Sequence, residues 1–225
     1  MSASSAFVSL RGVSKSWTAG RLPIPVLRDV WLDVRCGESL AVVGPSGAGK
    51  STLLHILALL TPVDTGEVWI DGRPLSSRDW WDTGMRRRIG MIFQDGKLLA
   101  NLSVLDNVRL PLVHRGLWPA HQRELALEAL RAVGMEHRLE HRPNQLSGGE
   151  LMRVAIARVL VMEPRIILAD EPTGTLDSAN GEQIARLLFG LVTEGRALVL
   201  VTHHAPLAAQ ADRSITLKDG YIDHE

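Results

Sequence analysis

The run Gly44-Pro45-Ser46-Gly47-Ala48-Gly49-Lys50-Ser51-Thr52 fits G-x-x-x-x-G-K-[S/T]. Its chemistry is phosphate capture. The glycines let backbone N–H groups turn inward around a β-phosphate, and a helix start behind them adds partial positive charge. Lys50 is a point charge for the β- and γ-phosphates. The Ser51 hydroxyl is placed for Mg²⁺, and Thr52 offers the next hydroxyl, nearer the α-phosphate. The bland reading, a Gly-rich turn with a helix cap, does not explain the Lys at this spacing after an apolar run.

A second constellation lies far along the chain. Arg165-Ile166-Ile167-Leu168-Ala169-Asp170-Glu171 is an apolar run that delivers two acids at its end. Ligands gather at strand ends of this kind in open α/β sheets. Asp170 suits Mg²⁺, and Glu171 suits polarising an attacking water or taking its proton. Strands often end in solvated charge, so the phosphate loop is what turns the pair toward chemistry. Gln94 follows the apolar run Ile89 to Phe93, where an amide could touch both Mg²⁺ and water. His203 follows Leu198 to Val201 and could reach a γ-phosphate, although a lone His at a strand end is more often a plain surface residue.

The stretch Leu146-Ser-Gly-Gly-Glu-Leu-Met-Arg-Val-Ala-Ile-Ala-Arg158 sets a second anion-friendly helix start in the chain. Ser147 and Glu150 form the S-x-x-E capping box, which explains a helix start with no ligand at all. Two consecutive glycines are less easily explained, because they cost backbone entropy. Ser147, Gly148 and Gly149 suit the close approach of an anion.

These residues need elements to position them. Phe7 to Leu10, Val26 to Val34 and Ser39 to Val43 read as strands, and so does Gly66 to Asp71, closed by an Asp-Gly turn. A helix is expected from Lys50 to about Leu60, stopped by Pro62. Asp106 to Val113, Ala120 to Val133 and Glu150 to Val161 carry helical spacing. Arg165 to Ala169, Ala197 to Thr202 and Arg213 to Leu217 return to β-type runs, with a helix Asn180 to Val192 between two of them. A doubly wound α/β core with an inserted helical subdomain fits this order.

Composition narrows the function. Of the 225 residues 45% are apolar, enough for a sizeable core, and 25 basic residues balance 25 acidic ones. The balance argues against nucleic-acid binding through a bulk basic surface. The single cysteine, Cys36, excludes an internal disulfide and reads as a turn residue before Gly37. The start, MSASSAFVSLRG, lacks the basic and apolar regions of a secretory leader, and no apolar run approaches the ~18 residues of a membrane span. Any work at a membrane is expected to need a partner that supplies the membrane part.

In order, the run GPSGAGKST, Gln94, LSGGE, ILADE, the following Pro172 to Asp177, and His203 resemble an ABC-type ATPase over essentially the whole chain. The resemblance implies an α/β fold with a P-loop NTPase (RecA-like) core, an N-terminal antiparallel β region and an inserted helical subdomain. As one domain, residues 1–93 and 162–225 are the core, and 94–161 are the helical subdomain with the signature helix. It implies ATP and Mg²⁺, with Ser51, Gln94 and Asp170 at the metal and Glu171, Gln94 and His203 in catalysis. It also implies a homodimer in which Ser147, Gly148 and Gly149 hold the partner's γ-phosphate and Asp177 runs along the interface. Trp17, where the family more often has Tyr, matches the aromatic that stacks on adenine.

Within the family the chain is similar to the branch of lipoprotein-releasing, macrolide-efflux and cell-division ATPases. FQDGKLLANLSVLDNVRLPL is also similar to ATPases of MCE-type lipid transporters, although those usually lack EPTG-x-LD. The branch implies permease partners of the MacB, FtsX or LolCE type, no nucleic acid, and a cytoplasmic place on the inner membrane held through the permease. Three residues depart from the usual pattern. Glu150 stands where many members have Gln, though Glu is common in the envelope-transport branch, Thr175 where Asn is usual, and His204 where Asp is common. None removes a catalytic group, so an active enzyme is expected.

Overall fold

The computed structural model describes residues 6–20 and 22–223. Four strands form an antiparallel sheet in the order β2 (Leu22–Arg35), β1 (Ala6–Ala19), β4 (Thr65–Ile70), β5 (Arg73–Pro74). Six form a second sheet in the order β10 (Tyr221–Asp223), β9 (Arg213–Lys218), β3 (Ser39–Val43), β8 (Ala197–Val201), β7 (Ile166–Asp170), β6 (Ile89–Ile92). All neighbours in the second sheet are parallel except the edge strand β10.

The central strands read as unbroken apolar runs because they are covered on both faces. Their alternation sorts side chains into two cores. Ile166, Leu168, Ala197, Val199 and Val201 face a core shared with the antiparallel sheet and α1 (Lys50–Leu57). Ile167, Ala169, Leu198 and Leu200 face a core built on helices. Those helices include α3 (Val104–Arg109), α4 (Pro119–Ala132), α5 (Gly148–Leu160) and α6 (Ser178–Phe189). Each fully buried Ile or Leu contributes about 2–3 kcal/mol to this sandwich. Two short helices, α2 (Thr83–Arg87) and α7 (Ala205–Ala208), complete the set among the described residues.

Several boundaries differ from expectation for local reasons. β1 runs well beyond Leu10, but register shifts between Leu10 and Lys15, with Gly12 at φ 60°, interrupt its alternation and hide its length in sequence. Helix α1 ends before Pro62. Leu59 takes a left-handed φ of 56°, its N–H donates to the Ile56 carbonyl, and the Leu60 N–H donates to the His55 carbonyl. That is a Schellman motif closed on a non-glycine residue. The expected helix Asp106 to Val113 is α3 followed by a 3₁₀ segment at Leu110–Arg115, with Pro111 inside it. Helix α6 starts at Ser178 rather than Asn180, and ends at Phe189 rather than Val192. Trp80 and Val104 are core residues, while Trp81 and Leu99 are exposed. Cys36 lies in the turn before Gly37, as expected.

Candidate functional site

Sheet register assembles the site. Val42 of β3 and Asp170 of β7 both pair with Val201 of β8, and Ala169 pairs with Ile92 of β6. Gly44, Gln94, Glu171 and His203 therefore leave four adjacent strands at the same carboxyl edge. One cleft of about 410 Å³ is lined by Trp17, Ser46, Gly47, Gly49, Lys50, Ser51, Thr52, Gln94, Asp170 and Glu171. Trp17, most of the phosphate loop and the three residues expected at the metal thus face one space. Gly44, Pro45 and His203 line the adjoining cleft, and Ala48 is buried under the loop.

The loop's backbone requires its glycines. Gly44 has φ 147°, and a Cβ there would sit 2.1 Å from the Leu217 carbonyl oxygen. Gly49 has φ 104° and a Cβ there would meet the Val26 carbonyl oxygen at 2.8 Å. The Lys50 ammonium donates to the carbonyls of Gly44 and Pro45 at 2.8 and 2.9 Å, so the loop itself holds the charge in its concavity. The Trp17 indole N–H donates to the Thr52 hydroxyl at 3.2 Å, which fixes an aromatic plane at the mouth of the cleft. Lys15 lies 5.4 Å from that ring and is itself held by Asp64 at 2.6 Å.

Glu171 follows β7 with a left-handed φ of 47°. A non-glycine residue there stores backbone strain, and such strain gathers at functional sites. The turn sends its carboxylate toward His203, whose Nδ1 lies 2.8 Å from Oε1. The carboxylate accepts, so Nδ1 carries the proton. The Glu171 side chain is 16% exposed and that of His203 71%, so a mostly hidden carboxylate meets an open imidazole.

The three signature residues stand apart from this cleft. The capping box is formed: Ser147 Oγ accepts from the Glu150 N–H at 3.3 Å, and Glu150 Oε2 accepts from the Ser147 N–H at 2.9 Å. Gly149 is buried, and a Cβ on it would lie 2.8 Å from Asn180 Oδ1. Packing inside the chain therefore accounts for that glycine. Ser147 and Gly148 remain exposed. Asp177 caps α6, with Oδ1 accepting from the Asn180 N–H at 2.9 Å and Oδ2 from the Asn180 side chain at 2.7 Å. Those bonds, the backbone one foremost, hold its carboxyl below the usual range. Asp177 lines a cleft of about 490 Å³ together with Glu171, Gly174 and His203. The signature start and the nucleotide cleft are thus joined only indirectly within one chain.

Sequence reasoning missed three arginines that organise this region. Arg138 Nε donates to Glu150 at 3.0 Å, Arg153 reaches Gln183 at 2.9 Å, and Arg158 grips the carbonyls of Gly96 and Lys97. Their partners lie 12 to 62 residues away, so no local spacing signals them.

A family model described as "ABC transporter" matches residues 27–174. The chain is 46% identical over 224 residues to a macrolide export ATP-binding/permease protein, MacB, of Chlorobium luteolum, covering 99% of this chain but 34% of that protein. It is 45% identical to the lipoprotein-releasing system ATP-binding protein LolD of Psychrobacter arcticus, covering 98% of this chain and 99% of that one. An ATP-binding cassette solved as a dimer in a post-hydrolysis state, bound to ADP and Pi, superposes with a TM-score of 0.87 at 42% identity, covering 96% and 97% of the two chains. The fold is accordingly that of a P-loop ATPase cassette. The chain belongs to the ABC transporter family as an ATP-binding cassette and ATPase. It spans about a third of the MacB protein and nearly all of LolD.

Proposed function

We propose that this cassette hydrolyses ATP at two sites shared across a homodimer and uses the cycle to drive a membrane permease. The observation that carries the reading is the meeting, at one strand edge, of the Lys50 loop, the Asp170 and Glu171 carboxylates and His203. Trp17 stacks on the base, and the backbone of residues 44–50 and the Lys50 ammonium bind the phosphates. Mg²⁺ fits the donors that line the cleft, since Ser51, Gln94 and Asp170 offer the hydroxyl, amide and carboxylate oxygens such a hard cation takes. When bound, it neutralises charge on the β- and γ-oxygens. Glu171 positions the attacking water and accepts its proton, and His203 orients Glu171 while contacting the terminal phosphate.

Ser147, Gly148 and Gly149 complete the site of the other subunit. Two of them are exposed and lie outside this chain's own nucleotide cleft, which suits a phosphate arriving from a second copy. Asp177 runs beside them at the interface. No described helix is long and apolar enough to cross a membrane. The permease, of the LolCE or MacB type, is therefore expected to dock along residues 94–113, where Leu99, Leu110 and Val113 are exposed. Lipoprotein release or a related envelope export is the favoured task, supported by the near-complete overlap with LolD. The place of action is the cytoplasmic face of the inner membrane.

Pull-down of tagged Glu171→Gln protein from its native membranes, with ATP and Mg²⁺, tests this. Co-isolation of a permease with few spans and a large extracytoplasmic domain is expected. Recovery of an MCE-type permease would replace envelope export with phospholipid transport, and an FtsX-type partner with regulation of cell-wall enzymes.

A further inference from the structure

Glu150 is an acid in the first turn of a helix whose start, on the reading above, receives a partner's phosphate. The present inference rests on that reading. A carboxylate in this position stabilises the helix through its dipole and closes the capping box. The same charge repels a second anion at the same helix end. Glu150 is firmly ionised, because the Ser147 N–H, then the Ser147 hydroxyl and Arg138, hold its carboxyl below the ordinary range against the opposing effect of burial. The Ser147 hydroxyl also donates to Glu150 Oε2 at 3.0 Å, so its proton points at the carboxylate.

Arg138 meets that charge. Its Nε donates at 3.0 Å to Oε1, the oxygen that the capping box leaves free. Its Nη1 lies 3.1 Å from His141 Nε2, and since a guanidinium only donates, that ring nitrogen accepts. The loop beneath is tied down as well. The His141 carbonyl accepts from the Val104 N–H at 2.8 Å, and the Leu139 carbonyl from the Leu105 N–H at 3.0 Å. The guanidinium is therefore held by fixed partners on two sides.

We propose that Arg138 is a positioning residue of the shared ATP site: it neutralises Glu150 and holds that carboxylate on the Ser147 cap, so that an acidic signature helix can receive the partner's phosphate.

The test measures ATP-driven dimerisation by sedimentation in Glu171→Gln protein, with ATP and Mg²⁺ as the probe. Arg138→Gln keeps a donor for Glu150 and removes the charge. It should raise the ATP needed for half-dimerisation about tenfold, since two symmetric sites each lose a partly buried charge pair. Binding of a fluorescent ATP analogue to the monomer should not change. Adding Glu150→Gln, which still closes the capping box, should restore the parental requirement to within about twofold. A double variant as impaired as Arg138→Gln overturns the proposal.

Glu150→Gln alone gives a readout that does not depend on how Arg138→Gln folds. The unpaired guanidinium should lower the ATP requirement and steepen its salt dependence, and an unchanged or raised requirement overturns the proposal. Gly148→Asp separates this from the reading beneath it. If that variant dimerises at the parental ATP concentration, the helix start holds no partner phosphate and both ideas fall. If it fails to dimerise while the double variant stays impaired, only the role of Arg138 falls.

Discussion

Arg158 of the signature helix donates to the carbonyls of Gly96 and Lys97 at 2.7 and 2.6 Å, tying α5 to the turn just past Gln94. Lys97 is held at φ 45° in that turn, and the burial of Arg158 lowers its guanidinium pKa. One side chain thus connects the helix that starts at Ser147 with the loop that carries Gln94. Arg158→Met removes two charge-assisted bonds and should cost about 2–3 kcal/mol of stability by denaturant unfolding. It should also lower kcat more than it raises KM for ATP, because Gln94 loses its backing. A variant of unchanged stability and turnover would show that the turn holds itself.

Trp17 is 45% exposed at the mouth of the cleft and is anchored through Thr52. Loss of base stacking in Trp17→Ala should weaken ATP binding about tenfold by calorimetry. Trp17→Tyr should recover most of it, which assigns the loss to the aromatic face rather than to the Thr52 hydroxyl beside it. Equal affinity in Trp17→Ala and the parent would remove this residue from the nucleotide site.

The Glu171 carboxylate is bound to His203 at 2.8 Å and strained into position. Glu171→Gln keeps the shape and removes the proton acceptor. Its hydrolysis rate should fall by a factor of about 10²–10⁴, with ATP affinity retained. Near-parental turnover in that variant would assign the water-activating role elsewhere.

Asp212 links the ends of β3 and β9, accepting from the Ser39 hydroxyl at 2.6 Å and the Ser39 N–H at 2.8 Å. The hydroxyl bond, followed by the backbone bond, holds its carboxyl below the ordinary value of 3.8. A depressed folded pKa adds stability above the unfolded pKa, and that stability is lost as pH falls through the folded value. The stability gap between the parent and Asp212→Asn should therefore be full above about pH 5 and shrink below about pH 4. A gap constant from pH 7 to pH 3 would contradict this.

What was legible in the sequence was local. The runs 40–43, 166–169 and 197–201 are apolar throughout because both faces are covered, and the loop 44–52 announces itself by the spacing of its glycines, Lys50 and Ser51, although the steric need for Gly44 and Gly49 comes from the distant Leu217 and Val26 carbonyls. The Ser147 and Glu150 cap was legible because its partners are three residues apart. What escaped depends on distant partners or on broken periodicity. The bulges around Gly12 hid the length of β1, and the Leu59 turn ended α1 ahead of Pro62 on a residue that is not glycine. By spacing alone, the second signature glycine suits the approach of an anion. Asn180, thirty-one residues later, supplies a steric reason that spacing could not reveal. Arg138 and Arg158 are charged residues on partly polar faces, and only the folded chain shows what they hold.

The shared site is tested most directly by sedimentation of Glu171→Gln protein with and without ATP and Mg²⁺, beside the same protein carrying Gly148→Asp. The expected result is a dimer that forms only with ATP and is lost in Gly148→Asp, while the monomer of that variant still binds ATP with parental affinity. A dimer that survives Gly148→Asp, or an ATP affinity that falls with it in the monomer, would contradict the placing of a partner's phosphate on the Ser147 helix.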